Sequence, residues 1–331
     1  MYDVYGVGNA LVDSEYLVSD LLLSESRFPK SGMSLVDEDA RSTLIQLIEE
    51  THHVPREKLA SGGSAANTIA TVAGLGGRAF YSCKVASDST GQFFLNDLES
   101  HGIGHNFSQS QPPAGVTGEC ISMITPDGER TLVTHLGITQ TYSPQELVEP
   151  ALTQSKYLYI EGYLVSSESG FKAALEAQAI AKSAGVQIAL TLSDIGMVEG
   201  FRHHFERLFD AGVDLVFANE DEAKAWTGTT TRESASQRLA ASGSAFAMTM
   251  SGEGAVIGNG HDPAIFVPTT RVAPVDTTGA GDTFAGGVLY FLTQGMDLPE
   301  ATRRAHPLAS AVVSQFGARL SESELKTLSA A

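Results

Sequence analysis

Residues 276–287 read Asp276-Thr277-Thr278-Gly279-Ala280-Gly281-Asp282-Thr283-Phe284-Ala285-Gly286-Gly287. Gly279, Ala280 and Gly281 carry almost no side chain, so successive backbone N–H groups can close around an anion. Phe284, Val288 and Leu292 then recur at helical spacing, and the N-terminus of such a helix adds partial positive charge at the same place. Asp282 falls in the first turn. A carboxylate there can take a proton from an attacking hydroxyl while the N–H cradle holds a transferring phosphoryl group. Alone, the unit reads equally well as an ordinary glycine turn with Asp282 capping a helix. Its neighbours decide.

Far upstream, Gly62-Gly63-Ser64-Ala65-Ala66-Asn67 opens a second apolar helix through Ile69, Val72 and Ala73, closed by Gly74-Leu75-Gly76-Gly77. Paired glycines let ligand hydroxyls approach main chain closely, and Asn67 offers a donor and an acceptor one turn in. Gly8-Asn9-Ala10-Leu11-Val12-Asp13 follows the first apolar segment. Asp13 suits bidentate binding of vicinal hydroxyls, or is a solvated turn acid.

Between these motifs the pattern is that of an α/β protein. Strands are expected at Ala79 to Val85, Tyr157–Gly162, Gln187–Leu192, Leu215–Ala218 and Ala245–Thr249, with helices at Asp37 to Glu50, Phe93 to His101, Gly170–Ala184, Arg202–Phe209 and around Ala223. That alternation argues for a mainly parallel sheet with helices on both faces. Two other segments, about 12–36 and 107–137, show short β-like runs, the second with a hairpin signal at Pro126-Asp127-Gly128. They are expected to pair with each other.

Composition narrows the class. Of 331 residues, 42% are hydrophobic and 18% charged, as for a folded chain with a large core. A net charge of −18 disfavours nucleic acid as a general partner. Cys83 and Cys120 lack redox or metal-ligand spacing and read as unpaired thiols. The N-terminus has no basic leader and no apolar run is long enough to span a bilayer, so a soluble, cytoplasmic protein is expected. No Walker P-loop occurs, Leu11 stands where a dinucleotide fingerprint needs its third glycine, and there is no Gly-x-Ser-x-Gly elbow.

The di-glycine helix start with Asn67, followed far downstream by the Asp276–Asp282 block, resembles the PfkB (ribokinase-like) carbohydrate and nucleoside kinase family over essentially the whole chain. The resemblance implies a single kinase domain over 1–331, a three-layer α/β/α core with a small β-sheet lid built from about 12–36 and 107–137, ATP as donor, and Mg²⁺ as helper. Asn219 and Glu222, in Asn219-Glu220-Asp221-Glu222, resemble the family element that organises Mg²⁺ and phosphate, largely through water. Thr249-Met250-Ser251-Gly252-Glu253-Gly254 resembles the nucleotide loop, with Ser251 where many relatives have glycine. His306 resembles the residue flanking adenine, and reads equally as a helix-surface histidine. Asp276, Thr278 and Gly317 match part of a monovalent-cation (K⁺) loop that not every relative uses.

The chain looks closer to the adenosine-kinase-like branch at Gly8–Asp13, Gly128-Glu129-Arg130-Thr131-Leu132 and Glu161-Gly162-Tyr163. This implies transfer of the γ-phosphate to a primary hydroxyl of a nucleoside, adenosine foremost, with Asp282 as base. Asn9, Asp13, Gly62, Gly63, Asn67, Arg130 and Tyr163 are then expected at the acceptor. Thr249, Ser251, Gly252, Gly254, Gly279, Gly281, Asn219 and His306 are expected at ATP. Phe28, Met33, Met123 and Tyr163 are candidates to sandwich a base, or ordinary packing. A free sugar (ribose, fructose or a keto-deoxy sugar acid) is the alternative acceptor, and a non-catalytic sensor on the same scaffold the alternative class. A monomer, or a homodimer through the lid, fits either.

Overall fold

The computed structural model describes residues 1–108 and 110–330; Gln109, inside the second expected lid segment, and Ala331, at the end of the expected domain, lie outside them. Nine strands form the main sheet, in the order Ile265–Pro268, Gly254–Gly258, Ala245–Thr249, Leu215–Asn219, Gln187–Thr191, Ser155–Ile160, Tyr2–Val7, Ala79–Ser82, Gly104–His105. Neighbours pair in parallel except across the first two junctions, which are antiparallel.

Burial on both faces explains why the central strands are apolar at nearly every position rather than alternating. In Tyr2–Val7, Val4 packs with Ile69, Val72, Phe284, Val288 and Leu289 on one side. Tyr5 and Val7 point to the other, against Phe171, Ala174, Ala177, Phe205 and Leu208. Helices Ser64–Gly74, Ala280–Thr293 and Leu298–Val313 therefore cover the first face, and Glu168–Ala184 and Arg202–Ala211 the second. The three-layer α/β/α core is as expected.

The second sheet has five strands, ordered Met33–Leu35, Arg130–His135, Gly118–Ile124, Leu11–Leu17, Lys58–Gly62. It draws on both expected segments and adds Lys58–Gly62, which neither contains. That strand ends on the di-glycine, so the second sheet leads directly into helix Ser64–Gly74. The sheet has its own apolar cluster of Tyr16, Leu22, Leu44, Ile48, Ile121, Met123 and Val133. Two further helix starts were not read in sequence: Asp88 caps Ser89–Ser100 and Ser167 caps Glu168–Ala184, each side chain accepting an N–H of the first turn.

Candidate active site

Gly279 caps helix Ala280–Thr293 in the left-handed conformation, at φ 75°. A Cβ there would lie 2.2 Å from the carbonyl oxygen of Ala318, so conformation and space both require glycine. The cap turns Asp282 toward the start of helix Ser64–Gly74. Ser64 Oγ donates to Asp282 Oδ1 at 2.6 Å, and Asn67 Nδ2 donates to Oδ2 at 3.0 Å. The two donors are three residues apart and so share one face of that first turn. Burial pushes the Asp282 carboxyl above the ordinary aspartate range, against the opposing pull of the Ser64 and Asn67 donors and the charge of Arg319. The result is a part-buried carboxylate held at both oxygens by two neutral donors.

Ser64 and Asp282 lie at the edge of a cleft of about 640 Å³. Its walls include Asn219, Glu222, Thr249, Ser251, Gly252, Gly254, Ala280, Gly281 and His306, so every residue expected at ATP except Gly279, which caps the adjoining turn, opens onto one cavity. His306 is buried there, with its Nε2 3.1 Å from the Val267 carbonyl oxygen; burial pushes its pKa down, so it is a neutral ring donating to that carbonyl. Its reading as a surface histidine is corrected. Ser251 adopts φ 48°, the left-handed region that glycine enters most easily. At Gly254 the same requirement is stricter: φ is 131° and a Cβ would stand 2.2 Å from the Val267 oxygen.

Asn219 and Glu222 form a reciprocal capping box on helix Glu220–Thr227: Asn219 Oδ1 accepts from Glu222 N at 2.8 Å, and the Glu222 carboxylate accepts from Asn219 N and Nδ2 at 3.0 and 2.6 Å. Burial pushes Glu222 up to about 7. One nearly buried carboxylate lining this cleft fits Mg²⁺, which keeps several waters and takes few protein ligands. No group of three or more His, Cys, Asp or Glu side chains that could cage a metal exists among the described residues. A monovalent cation fits less well. Asp276 already accepts from Thr278 N at 3.0 Å, Thr278 Oγ1 at 2.7 Å and Gly317 N at 3.0 Å, and Arg130 Nη2 stands 3.4 Å from its Oδ2. Those bonds hold the Asp276 carboxyl below its usual range despite burial. A carboxylate already accepting three hydrogen bonds beside a guanidinium has little left to offer K⁺.

The residues expected at the acceptor divide. Asp13 lies against the di-glycine, since a Cβ on Gly62 would sit 2.4 Å from Asp13 Oδ2. Burial pushes Asp13 up to about 6, opposed first by the charge of Arg319. Gly63, at φ 92°, is fixed by the Asn9 carbonyl, which a Cβ would approach to 2.3 Å. Arg130 lies between Glu15 Oε1 at 3.4 Å and Asp276, tying the second sheet to the core. Asn9 is buried: its amide donates to buried Glu161 Oε1 at 3.0 Å, and Glu161 Oε2 accepts from Ala65 N at 2.8 Å, so the pair braces a helix start. Tyr163 donates to the Ser193 carbonyl at 3.5 Å and does not line the cleft. Met123 is buried in the second sheet's cluster, Phe28 packs on it, and Met33 is exposed at the sheet edge. Sequence reading missed Ser64, Glu161 and Arg319 as part of the site; only Ser64 carried a signal, its spacing to Asn67.

A family model described as the pfkB family of carbohydrate kinases matches residues 31–325. Among solved structures, an adenosine kinase from Sinorhizobium meliloti is 37% identical, with 98% of each chain covered and a TM-score of 0.86. A probable sugar kinase protein from Rhizobium etli CFN 42 is 36% identical, covering 98% of this chain and 97% of the other, also at 0.86. The adenosine kinase of Saccharomyces cerevisiae is 28% identical over 94% of both chains.

Proposed function

The chain belongs to the pfkB carbohydrate kinase family and is a kinase, and from that premise we propose that it transfers the γ-phosphate of ATP to the primary hydroxyl of a nucleoside, adenosine foremost. The observation that carries this reading is Asp282, held at both oxygens at the edge of a cleft that gathers the expected ATP residues.

In the proposed reaction the acceptor hydroxyl lies beside Asp282, which takes its proton as the oxygen–phosphorus bond forms and the bridging bond to ADP breaks. N–H groups of the Gly279-Ala280-Gly281 turn face charge developing on the transferred group. Asp13, whose carboxylate fills the space a side chain on Gly62 would need, holds a vicinal diol. Asn219 and Glu222 would hold the water shell of Mg²⁺, which supplies charge neutralisation to the phosphoryl oxygens. The second sheet acts as a lid, with Arg130 its contact to the catalytic turn. Excluding water there protects ATP from hydrolysis.

A free sugar is the second reading, favoured by likeness to the probable sugar kinase at nearly the same identity. The test is ADP release by purified protein with adenosine, other nucleosides, ribose, fructose and a keto-deoxy sugar acid. Adenosine should give the highest kcat/KM, by about 10-fold or more over any free sugar. A sugar ahead of every nucleoside overturns the nucleoside reading. Tight nucleoside binding without transfer to any acceptor favours a sensor.

A further inference from the structure

Arg319 lies in the connection between helices Leu298–Val313 and Glu322–Ala330, far in sequence from both glycine motifs. Its backbone is fixed by the catalytic turn itself. Gly317 N donates to Asp276, and the Ala318 carbonyl fills the space that a side chain on Gly279 would need. From that anchored position the guanidinium reaches two partners. Nε donates to Asn67 Oδ1 at 2.8 Å, and Nη1 donates to Asp97 Oδ2 at 2.8 Å.

The first contact has a chemical consequence. An asparagine amide can be turned either way, donor or acceptor forward. Arg319 has only donors, so its Nε–H requires the Asn67 oxygen, and the Asn67 nitrogen must then face Asp282. Were the amide reversed, an oxygen would face the carboxylate and repel it. The second contact keeps the guanidinium in place. Nη2 is left buried, with no hydrogen-bond partner. A buried, unpaired guanidinium N–H is costly enough to call for an explanation. Through Asn67 the guanidinium is one side chain away from Asp282, and its charge is the foremost one favouring ionised Asp13.

We propose that Arg319 is a positioning residue of the kinase site: it sets the direction of the Asn67 amide toward Asp282 and presents its free Nη2–H to a ring hydroxyl of the acceptor. The proposal rests on the kinase reading above and adds a specificity element to it: an acceptor with a ring hydroxyl to receive that N–H.

The experiment compares full-length wild type with Arg319→Ala, Arg319→Lys and Asp97→Asn, on adenosine, 2′-deoxyadenosine and 3′-deoxyadenosine, with ATP binding and Tm as folding controls. Arg319→Ala should lower kcat about 10- to 100-fold and raise the adenosine KM about 10-fold, with ATP affinity within about twofold. The acid limb of its pH profile should move to higher pH, because Asp282 loses a fixed donor and a nearby positive charge. Its penalty should shrink at least about fivefold on one of the two deoxynucleosides, the one lacking the hydroxyl that Nη2 meets. Arg319→Lys should recover part of kcat, and Asp97→Asn should lose less than Arg319→Ala. An equal penalty on all three nucleosides, unchanged kinetics, or ATP binding lost in step with Tm each overturns the proposal. Wild-type turnover reads the acceptor separately: if only ribose is phosphorylated, the same ratios are taken on ribose against 2-deoxyribose.

Discussion

Asp282 illustrates how few atoms set the chemistry at the residue scale. Burial pushes its carboxyl above the ordinary aspartate range, toward the protonated form that cannot act as a base. Ser64 and Asn67 stabilise the charged form, and the outcome is an aspartate above its ordinary range but still open to ionisation. If that carboxylate accepts the acceptor's proton, kcat/KM falls on the acid side as Asp282 is protonated, with its midpoint above the ordinary aspartate range. Removing a donor to the charged form disfavours ionisation, so Ser64→Ala should move that acid limb to higher pH and lower kcat about 10-fold. A pH–rate profile of the two proteins checks this; a limb that stays put or moves to lower pH contradicts it. Ser251 shows the opposite economy. A non-glycine residue at φ 48° is strained by about 1 kcal/mol, and Ser251 carries that strain in a loop that lines the cleft.

At the scale of elements, the strand Lys58–Gly62 matters most. It pairs antiparallel with Leu11–Leu17, Gly62 opposite Leu11 and Ala60 opposite Asp13, and thereby brings the Asp13 carboxylate, the proposed acceptor contact, to the glycine pair. Gly62→Ala would set a Cβ 2.4 Å from Asp13 Oδ2 and must displace the carboxylate. Acceptor KM should rise about 10-fold or more while ATP KM stays within about twofold. Gly200→Ala, where a Cβ meets nothing within 4 Å, is the neutral control. Steady-state kinetics separate the two substrates, and an ATP effect equal to the acceptor effect would refute the placement. This strand was not legible in the sequence. Lys58-Leu59-Ala60-Ser61-Gly62 has no β-branched or aromatic residue, and only its neighbours make it a strand. The core strands were legible because burial on both faces writes unbroken apolar runs, and helix Ala280–Thr293 because its apolar spacing follows a glycine cap. Arg319 was not, since its link to Asn67 spans 252 positions and no local pattern encodes such a contact.

Across the whole molecule, the second sheet joins the core where Val12 and Leu59 pack into the main apolar cluster, beside Asn67 and its hydrogen bond to Asp282. Arg130 crosses from the second sheet to Asp276, on the loop that leads into the glycine turn. The arrangement puts the proposed ATP cleft on the core side and Asp13 and Arg130 on the second sheet, with Asp282 at the edge of that cleft. No helix among the described residues is long and apolar enough to cross a membrane, and Cys83 and Cys120 are free thiols. The most direct test is single-turnover transfer from γ-labelled ATP to adenosine by Asp282→Asn, with both substrates' affinities measured on the same protein. Loss of transfer by about a thousandfold or more, with both Kd values within about threefold of wild type, is the predicted result; transfer at near the wild-type rate would contradict the assignment of Asp282 as the base.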